Sequence, residues 1–305
     1  VQRARDWCAC TPAVVAAPKG IRRGILRIVP ATFIVVPQWQ GSVSARAMRL
    51  IDGADAIRGD LPSSATRSVE VPIGAGEALE TGIARFSSVV RVRDRLRETL
   101  AELDGPTVVI GGDCAVSLAA VERAAASGDD LAVIWFDAHP DLNTPESSPS
   151  GGFGGMVLRT LLGDGAEELV PPEGSRVRAD RLVLGGVRDV DLGEELYIAG
   201  NGIRSLTVDE LATPDALVAA LLATGASRVY VHVDLDVLDP AALSGLDYPE
   251  PFGLSVETLT ALIGAVRAQS TLVGATIAGF APATPADAAD DLPAILRIIG
   301  ALTRG

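Results

Sequence analysis

Two short stretches of the sequence place potential metal ligands at every second position. Asp137, His139 and Asp141 alternate in one, and His232, Asp234 and Asp236 alternate in the other. In extended backbone, residues two apart point to the same side, so each stretch would gather its polar side chains on one face. In the second stretch Val231, Val233 and Leu235 take the opposite face. Several carboxylates buried side by side are costly, or become protonated, unless something neutralises them. Divalent cations do so, and mixed carboxylate and imidazole ligation suits Mn²⁺, with Fe and Zn less typical. Any one Asp after a strand serves equally well as a turn or helix cap; the whole set at matched strand ends points to a metal centre. A third segment runs from Thr107 through an apolar stretch into Gly111-Gly112-Asp113-Cys114. Its glycines fit no phosphate-loop spacing, and no Lys-Ser/Thr pair follows.

These residues need elements that bring them together. From Thr32 onward, short runs rich in Val, Ile and Leu alternate with amphipathic stretches. The runs predict strands over Phe33–Pro37, Val69–Ile73, Thr107–Ile110, Leu131–Phe136, Leu182–Gly185, Arg228–Asp234 and Leu272–Ile277, several of them apolar enough to be covered on both faces. Helices are predicted over Ala84–Leu103, where Val89, Val92, Leu96 and Leu100 keep helical spacing, and over Ala115–Ala125, Pro214–Ala223, Ser255–Ala268 and Leu292–Thr303. This alternation reads as an α/β fold with a parallel sheet and helices on both sides. Such sheets hold ligands at the carboxyl ends of their strands, which is where all three polar segments begin.

Composition narrows the function classes. The chain has 305 residues, 48% of them hydrophobic, with 32 Gly and 19 Pro, enough for one large α/β domain. A formal charge of −13 argues against nucleic acid and anionic membrane surfaces as partners. No apolar run reaches the roughly 18 residues needed to span a bilayer. Three cysteines, Cys8, Cys10 and Cys114, make no disulfide framework, and a cytoplasmic setting is the expectation. Residues 1–30 are Arg-rich, lack a clear period and lack the continuous apolar core of a signal sequence; they are expected to form a poorly ordered or non-native extension to a single domain over 31–305.

The segments DAHPDLNTP (Asp137 to Pro145), HVDLDVLDP (His232 to Pro240) and GGDCAVS (Gly111 to Ser117) resemble the three metal motifs of the ureohydrolases, the arginase/agmatinase superfamily. The resemblance continues in order through SPSGGFGGM (Ser148 to Met156), GGVRDVDLGEE (Gly185 to Glu195) and YPEPFGLSVETL (Tyr248 to Leu259), and the GVRDVD segment leans towards the arginase branch. It implies a three-layer α/β/α sandwich with a central parallel sheet of about eight strands. It also implies two Mn²⁺ ions per chain, other divalent metals being possible. Asp137 and Asp234 would bridge the ions, Asp141 would bind one, and His139 and Asp236 the other. Asn143 and Ser150 would hold the carboxylate of the substrate and Asp191 its α-amino group, with Asp113 and Asp239 orienting ligands from behind. The implied reaction is hydrolysis of a guanidino or amidino compound by metal-activated water, releasing urea and an amine. Relatives are usually trimers or hexamers, so a homo-oligomer is implied.

Three positions depart from the family pattern. Cys114 stands where the first metal normally has a histidine; it is either a soft thiolate ligand, shifting preference towards Zn²⁺ or Fe²⁺, or a small buried residue that binds nothing. Gly154 stands where a histidine relays protons. Gly279 falls where a late glutamate pairs with the substrate guanidinium, and loss of that carboxylate removes charge-assisted hydrogen bonds. His232, sharing parity with the metal aspartates, could act as an extra ligand, as a base, or as a packed neutral histidine. Impaired or altered activity is therefore expected, with a degenerate, non-catalytic homologue serving a partner or regulatory role as the alternative.

Overall fold

The computed structural model describes residues 31–304. The extension expected over 1–30 lies outside the described residues. Eight strands form one sheet: β1 (Thr32–Val36), β2 (Thr66–Ser68), β3 (Thr107–Gly111), β4 (Leu131–Phe136), β5 (Leu182–Gly185), β6 (Arg204–Leu206), β7 (Arg228–Asp234) and β8 (Thr271–Ala278). Their order is β2-β1-β3-β8-β7-β4-β5-β6 and every pairing is parallel.

Helices α1 (Arg49–Gly59), α6 (Asp215–Ala223), α7 (Val256–Gln269) and α8 (Pro285–Thr303) cover one face. Helices α2 (Phe86–Ala101), α3 (Ser117–Ala126), α4 (Val157–Leu162) and α5 (Leu192–Asn201) cover the other, completing three layers. Strand parity divides the core between them. In β4, Ala132, Ile134 and Phe136 pack with the first set, whereas Leu131, Val133 and Trp135 pack with the second. In β7, Val229, Val231 and Val233 join the first core and Tyr230 the second. His232 and Asp234 share the face of Tyr230, so one imidazole is inserted into an otherwise apolar layer.

The expected elements are present, with differences at the sheet edges. Edge strand β2 ends at Ser68, before the predicted Val69–Ile73: Val69 N–H still donates to the Val35 oxygen at 2.9 Å, but the partner strand β1 ends at Val36, just ahead of Pro37. The strand β6 and helices α1, α4 and α5 carry too little periodic apolar sequence to stand out. Helix α8 starts at Pro285 rather than Leu292, since Thr284 caps it by accepting the Asp287 N–H and its first turns are mostly exposed Ala and Asp.

Candidate metal centre

Four adjacent central strands deliver the site. The carboxyl ends of β3, β8, β7 and β4 and the turns that follow them carry Asp113-Cys114, Gly279, Asp234-Asp236 and Asp137–Asp141 respectively. Gly112 lets the first loop pass: a Cβ there would lie 1.4 Å from the Gln38 carbonyl oxygen. Asp113 then caps the turn bearing Cys114 by accepting the Ala115 N–H at 2.9 Å, and it also accepts the Gly41 N–H at 2.8 Å. Asp239 does not orient a ligand; its carboxylate accepts the backbone N–H groups of Ala241, Phe252 and Gly253 and fixes the surface loop there.

The predicted ligands converge in two overlapping groups. Donor atoms of Cys114, Asp137, Asp141 and His232 lie within 4.8 Å of one another, as do those of Asp137, His139 and Asp236. Asp234 adjoins both, its Oδ2 receiving the Cys114 thiol at 2.9 Å and its Oδ1 receiving the Asp236 N–H at 2.9 Å. His139 Nδ1 lies 3.1 Å from Asp236 Oδ2 and 3.4 Å from Asp137 Oδ1. Asp141 holds a left-handed backbone with φ 53°, a cost of about 1–3 kcal/mol for a non-glycine residue that the surroundings must offset.

Electrostatics here favour a missing positive charge. Burial, followed by the nearby Asp236 carboxylate, pushes Asp234 up to about 7; burial and then Asp137 push Asp236 up to about 6. Burial also raises Asp137 and Asp141, the latter strongly, with neighbouring carboxylates adding to the effect. Burial drives the Cys114 thiol upward, reinforced by Asp141, Asp234 and Asp137. His139 is raised too, for a different reason: burial would depress it, but Asp137 and Asp236 outweigh that and lift it well above the usual imidazole range. Two buried atoms of the first group, Asp141 Oδ2 and His232 Nε2, have no hydrogen-bond partner. Orphaned polar atoms of this kind are rare in a folded core. Oxygen, nitrogen and sulfur donors at these separations fit divalent cations, so the residues present suit a two-metal centre.

Above the cluster lies a cavity of about 290 Å³, at the small end of ligand-binding sites. The substrate-side residues line it. Asn143 Nδ2 donates to Asp191 Oδ2 at 2.8 Å, whereas Ser150 lies exposed on the rim. Gly154 also lines the cavity, where a Cβ would come no closer than 3.5 Å to the Gly41 oxygen. Gly279 has φ 84°, and a Cβ there would lie 2.1 Å from Asp234 Oδ1, so no side chain fits without moving a predicted ligand.

Two carboxylates in this cavity escaped the sequence reading. Buried Glu194 accepts the Leu142 N–H at 2.8 Å and the Asp191 N–H at 3.0 Å, tying α5 to the loop after β4. Its signal was the capping-box spacing from Asp191. Asp247, also buried, receives the Ser42 hydroxyl at 2.6 Å through Oδ2 while its Oδ1 has no partner. Its own N–H donates to the Gly279 oxygen at 3.0 Å, which puts its backbone beside the glycine. No periodicity marks it, because it sits in a loop.

Comparison with known proteins sets this geometry in context. A sequence model described as the Arginase family matches residues 8–298. The arginase of Staphylococcus aureus (strain MRSA252) is 31% identical over 210 residues, covering 63% of this chain and 68% of the relative. Alignments to S. aureus arginases span 62% to 68% of those proteins' length. The N(omega)-hydroxy-L-arginine amidinohydrolase of Streptomyces lavendulae is 32% identical over 211 residues, covering 68% of this chain and 72% of that one. Among solved structures, the Entamoeba histolytica arginase in complex with L-ornithine superposes with a TM-score of 0.78 at 24% identity, covering 89% of this chain and 97% of that chain.

Proposed function

The chain belongs to the arginase family, and from that premise we propose that it is a two-metal amidinohydrolase that cleaves a C–N bond in a small guanidino or amidino compound and releases urea. The observation that carries this reading is the convergence of Asp137, His139, Asp141, Asp234 and Asp236 beneath a small cavity, with one buried oxygen among them, Asp141 Oδ2, left unpartnered. Two divalent cations, Mn²⁺ or another divalent metal, would supply Lewis acidity and lower the pKa of a bound water towards neutrality.

The protein's own residues provide the rest. The four carboxylates among the five proposed ligands would lose their mutual repulsion if cations were held between them. Asn143, Ser150 and Asp191 receive the amino-acid end of the substrate in this reading, with Glu194 setting the position of Asp191. Gly279 offers no carboxylate to the guanidinium. Asp247 replaces that charge: its free Oδ1 is a buried acceptor for a cationic N–H, and burial raises its pKa until a cation joins it. A different carboxylate position favours a different substrate shape, so turnover of L-arginine is expected to be weak. The protein is read as a cytoplasmic homo-oligomer, trimer or hexamer, without nucleic-acid or membrane partners. Among the described residues no helix is long and apolar enough to cross a membrane.

The test is product release by Mn²⁺-reconstituted protein, urea from L-arginine and from a decarboxylated guanidino amine, and hydroxyurea from N(omega)-hydroxy-L-arginine. Turnover of one of them at metal-dependent rates is the expected result. Full-speed turnover of L-arginine would contradict the altered-specificity reading. The absence of side chains at Gly154 and Gly279 favours a second reading, a metal-bound homologue without catalysis. Stoichiometric metal with neither urea nor hydroxyurea from any of the three would favour that one.

A further inference from the structure

His232 is the feature that the two-metal reading leaves unexplained. Its imidazole lies inside the sheet, wholly buried, with the ring stacked on Trp135 at 3.5 Å between centroids and 10° between planes. The two residues are register partners on β7 and β4, so the stack fixes the ring plane. Ser117 Oγ sits 2.8 Å from Nδ1. The opposite nitrogen, Nε2, has no hydrogen-bond partner and faces the first ligand group. It lies 3.8 Å from Asp137 Oδ2, and Cys114 Sγ lies 3.8 Å from the same oxygen. For nitrogen and oxygen that separation is too long for a hydrogen bond. It is close to the spacing of two donors around one ion, since bonds of about 2.0–2.3 Å in a tetrahedron separate donors by about 3.5 Å.

We propose that His232 Nε2 is a ligand of the first metal ion, supplied from within β7, and that with Cys114 Sγ and the Asp137 and Asp141 carboxylates it forms a nitrogen–sulfur–oxygen site that takes a borderline cation such as Zn²⁺ or Fe²⁺. This rests on the two-metal reading of the cluster. Donation of the Nδ1 proton to Ser117 leaves the Nε2 lone pair directed at the ion, the usual arrangement by which an outer partner selects the tautomer of a ligating histidine. The other unpartnered atom, Asp141 Oδ2, belongs to the same four residues, so one ion satisfies both orphans. The second group, Asp137, His139 and Asp236, has no sulfur donor and suits Mn²⁺, so the pair of sites discriminates between metals.

The test is X-ray absorption on the metal-free full chain loaded with one Zn²⁺ per chain, in unmodified protein and in His232→Phe, which keeps an aromatic ring against Trp135. Expected are one sulfur at about 2.3 Å and imidazole scattering in the unmodified protein, with the imidazole contribution lost in His232→Phe. Affinity for that first Zn²⁺ should fall by more than the roughly 10- to 100-fold that loss of an outer-sphere partner costs. Cys114→Ser should remove the sulfur and, with Co²⁺, the thiolate charge-transfer absorption. A sulfur shell without imidazole, an imidazole shell unchanged in His232→Phe, or no sulfur at all would overturn the assignment. Because the unmodified protein is read directly, a variant that fails to fold does not remove the test. Failure of the catalytic reading is separate: urea release with all-oxygen first-site ligation would sink this proposal alone, whereas the expected ligation without turnover of any guanidino compound would sink only the function.

Discussion

Glycine stands at 154 and at 279, the two positions where the resemblance implies functional side chains, and the structure treats them differently. At Gly154 a side chain enters open cavity, so Gly154→His should fold with a Tm within about 2 °C of the parent, a shift of no more than roughly 1 kcal/mol. At Gly279 the left-handed backbone and the 2.1 Å approach to Asp234 forbid it. Gly279→Glu should lower stability by several kcal/mol and reduce metal content, both visible in thermal melts and elemental analysis. The late carboxylate therefore cannot be restored at its family position, which makes Asp247 the residue to probe. Asp247→Asn keeps the Ser42 contact possible but removes the charge. It is expected to lower kcat/KM for a cationic substrate about 100-fold, about 2.7 kcal/mol of transition-state binding, with metal content unchanged. Loss of metal in that variant would reassign Asp247 to the metal centre.

At the scale of elements, the site depends on joints between a strand end and a neighbouring helix. Glu194 in α5 holds the backbone N–H of Leu142 and that of Asp191 with one carboxylate. Glu194→Ala leaves both donors without their acceptor, at a cost of about 1–3 kcal/mol each where water cannot replace it. Because the loop from Asp137 to Asn143 and the start of α5 would then drift apart, KM should rise more than kcat falls. Equal losses in both would place Glu194 in the chemical step instead. Arg188 performs a similar task, donating to the backbone oxygens of Asp236, Glu250 and Pro251 and so tying down the loop that follows β7.

Across the whole molecule, the metal centre is a stability liability until it is filled. Asp234 and Asp236 titrate near 7 and 6 when folded, against an ordinary value of 3.8. Both are raised, so the folded state binds more protons than the unfolded chain between these limits. Stability linked to them is complete below about pH 4 and lost as pH rises towards 7. Metal-free protein should therefore melt at progressively lower temperature from pH 4.5 to 7.5. Added Mn²⁺ should raise Tm more at pH 7.5 than at pH 5, by roughly 5 °C or more when metal exceeds Kd 100-fold. A metal-free Tm that rises over this range would show that the carboxylates ionise without penalty.

The sequence by itself determined what strand parity and local spacing encode. Asp137, His139, Asp141, Asp234 and Asp236 were legible as candidates from their alternate spacing where apolar runs end, although only Asp234 lies within a strand and the others sit in the turns that follow β4 and β7. The parallel sheet and both helical layers followed from the same alternation. Only the tertiary structure decided how residues far apart in sequence meet. It brought Cys114 of the β3 loop within 2.9 Å of Asp234, 120 positions later, and set Asp247 beside Gly279. It also left His232 Nε2 unpartnered against Asp137 and Asp141. Parity could say that this imidazole shares a face with the aspartates. It could not say what stands on the neighbouring strands, because lateral contacts follow from strand order, and strand order is set by packing over the whole chain rather than by any segment of it.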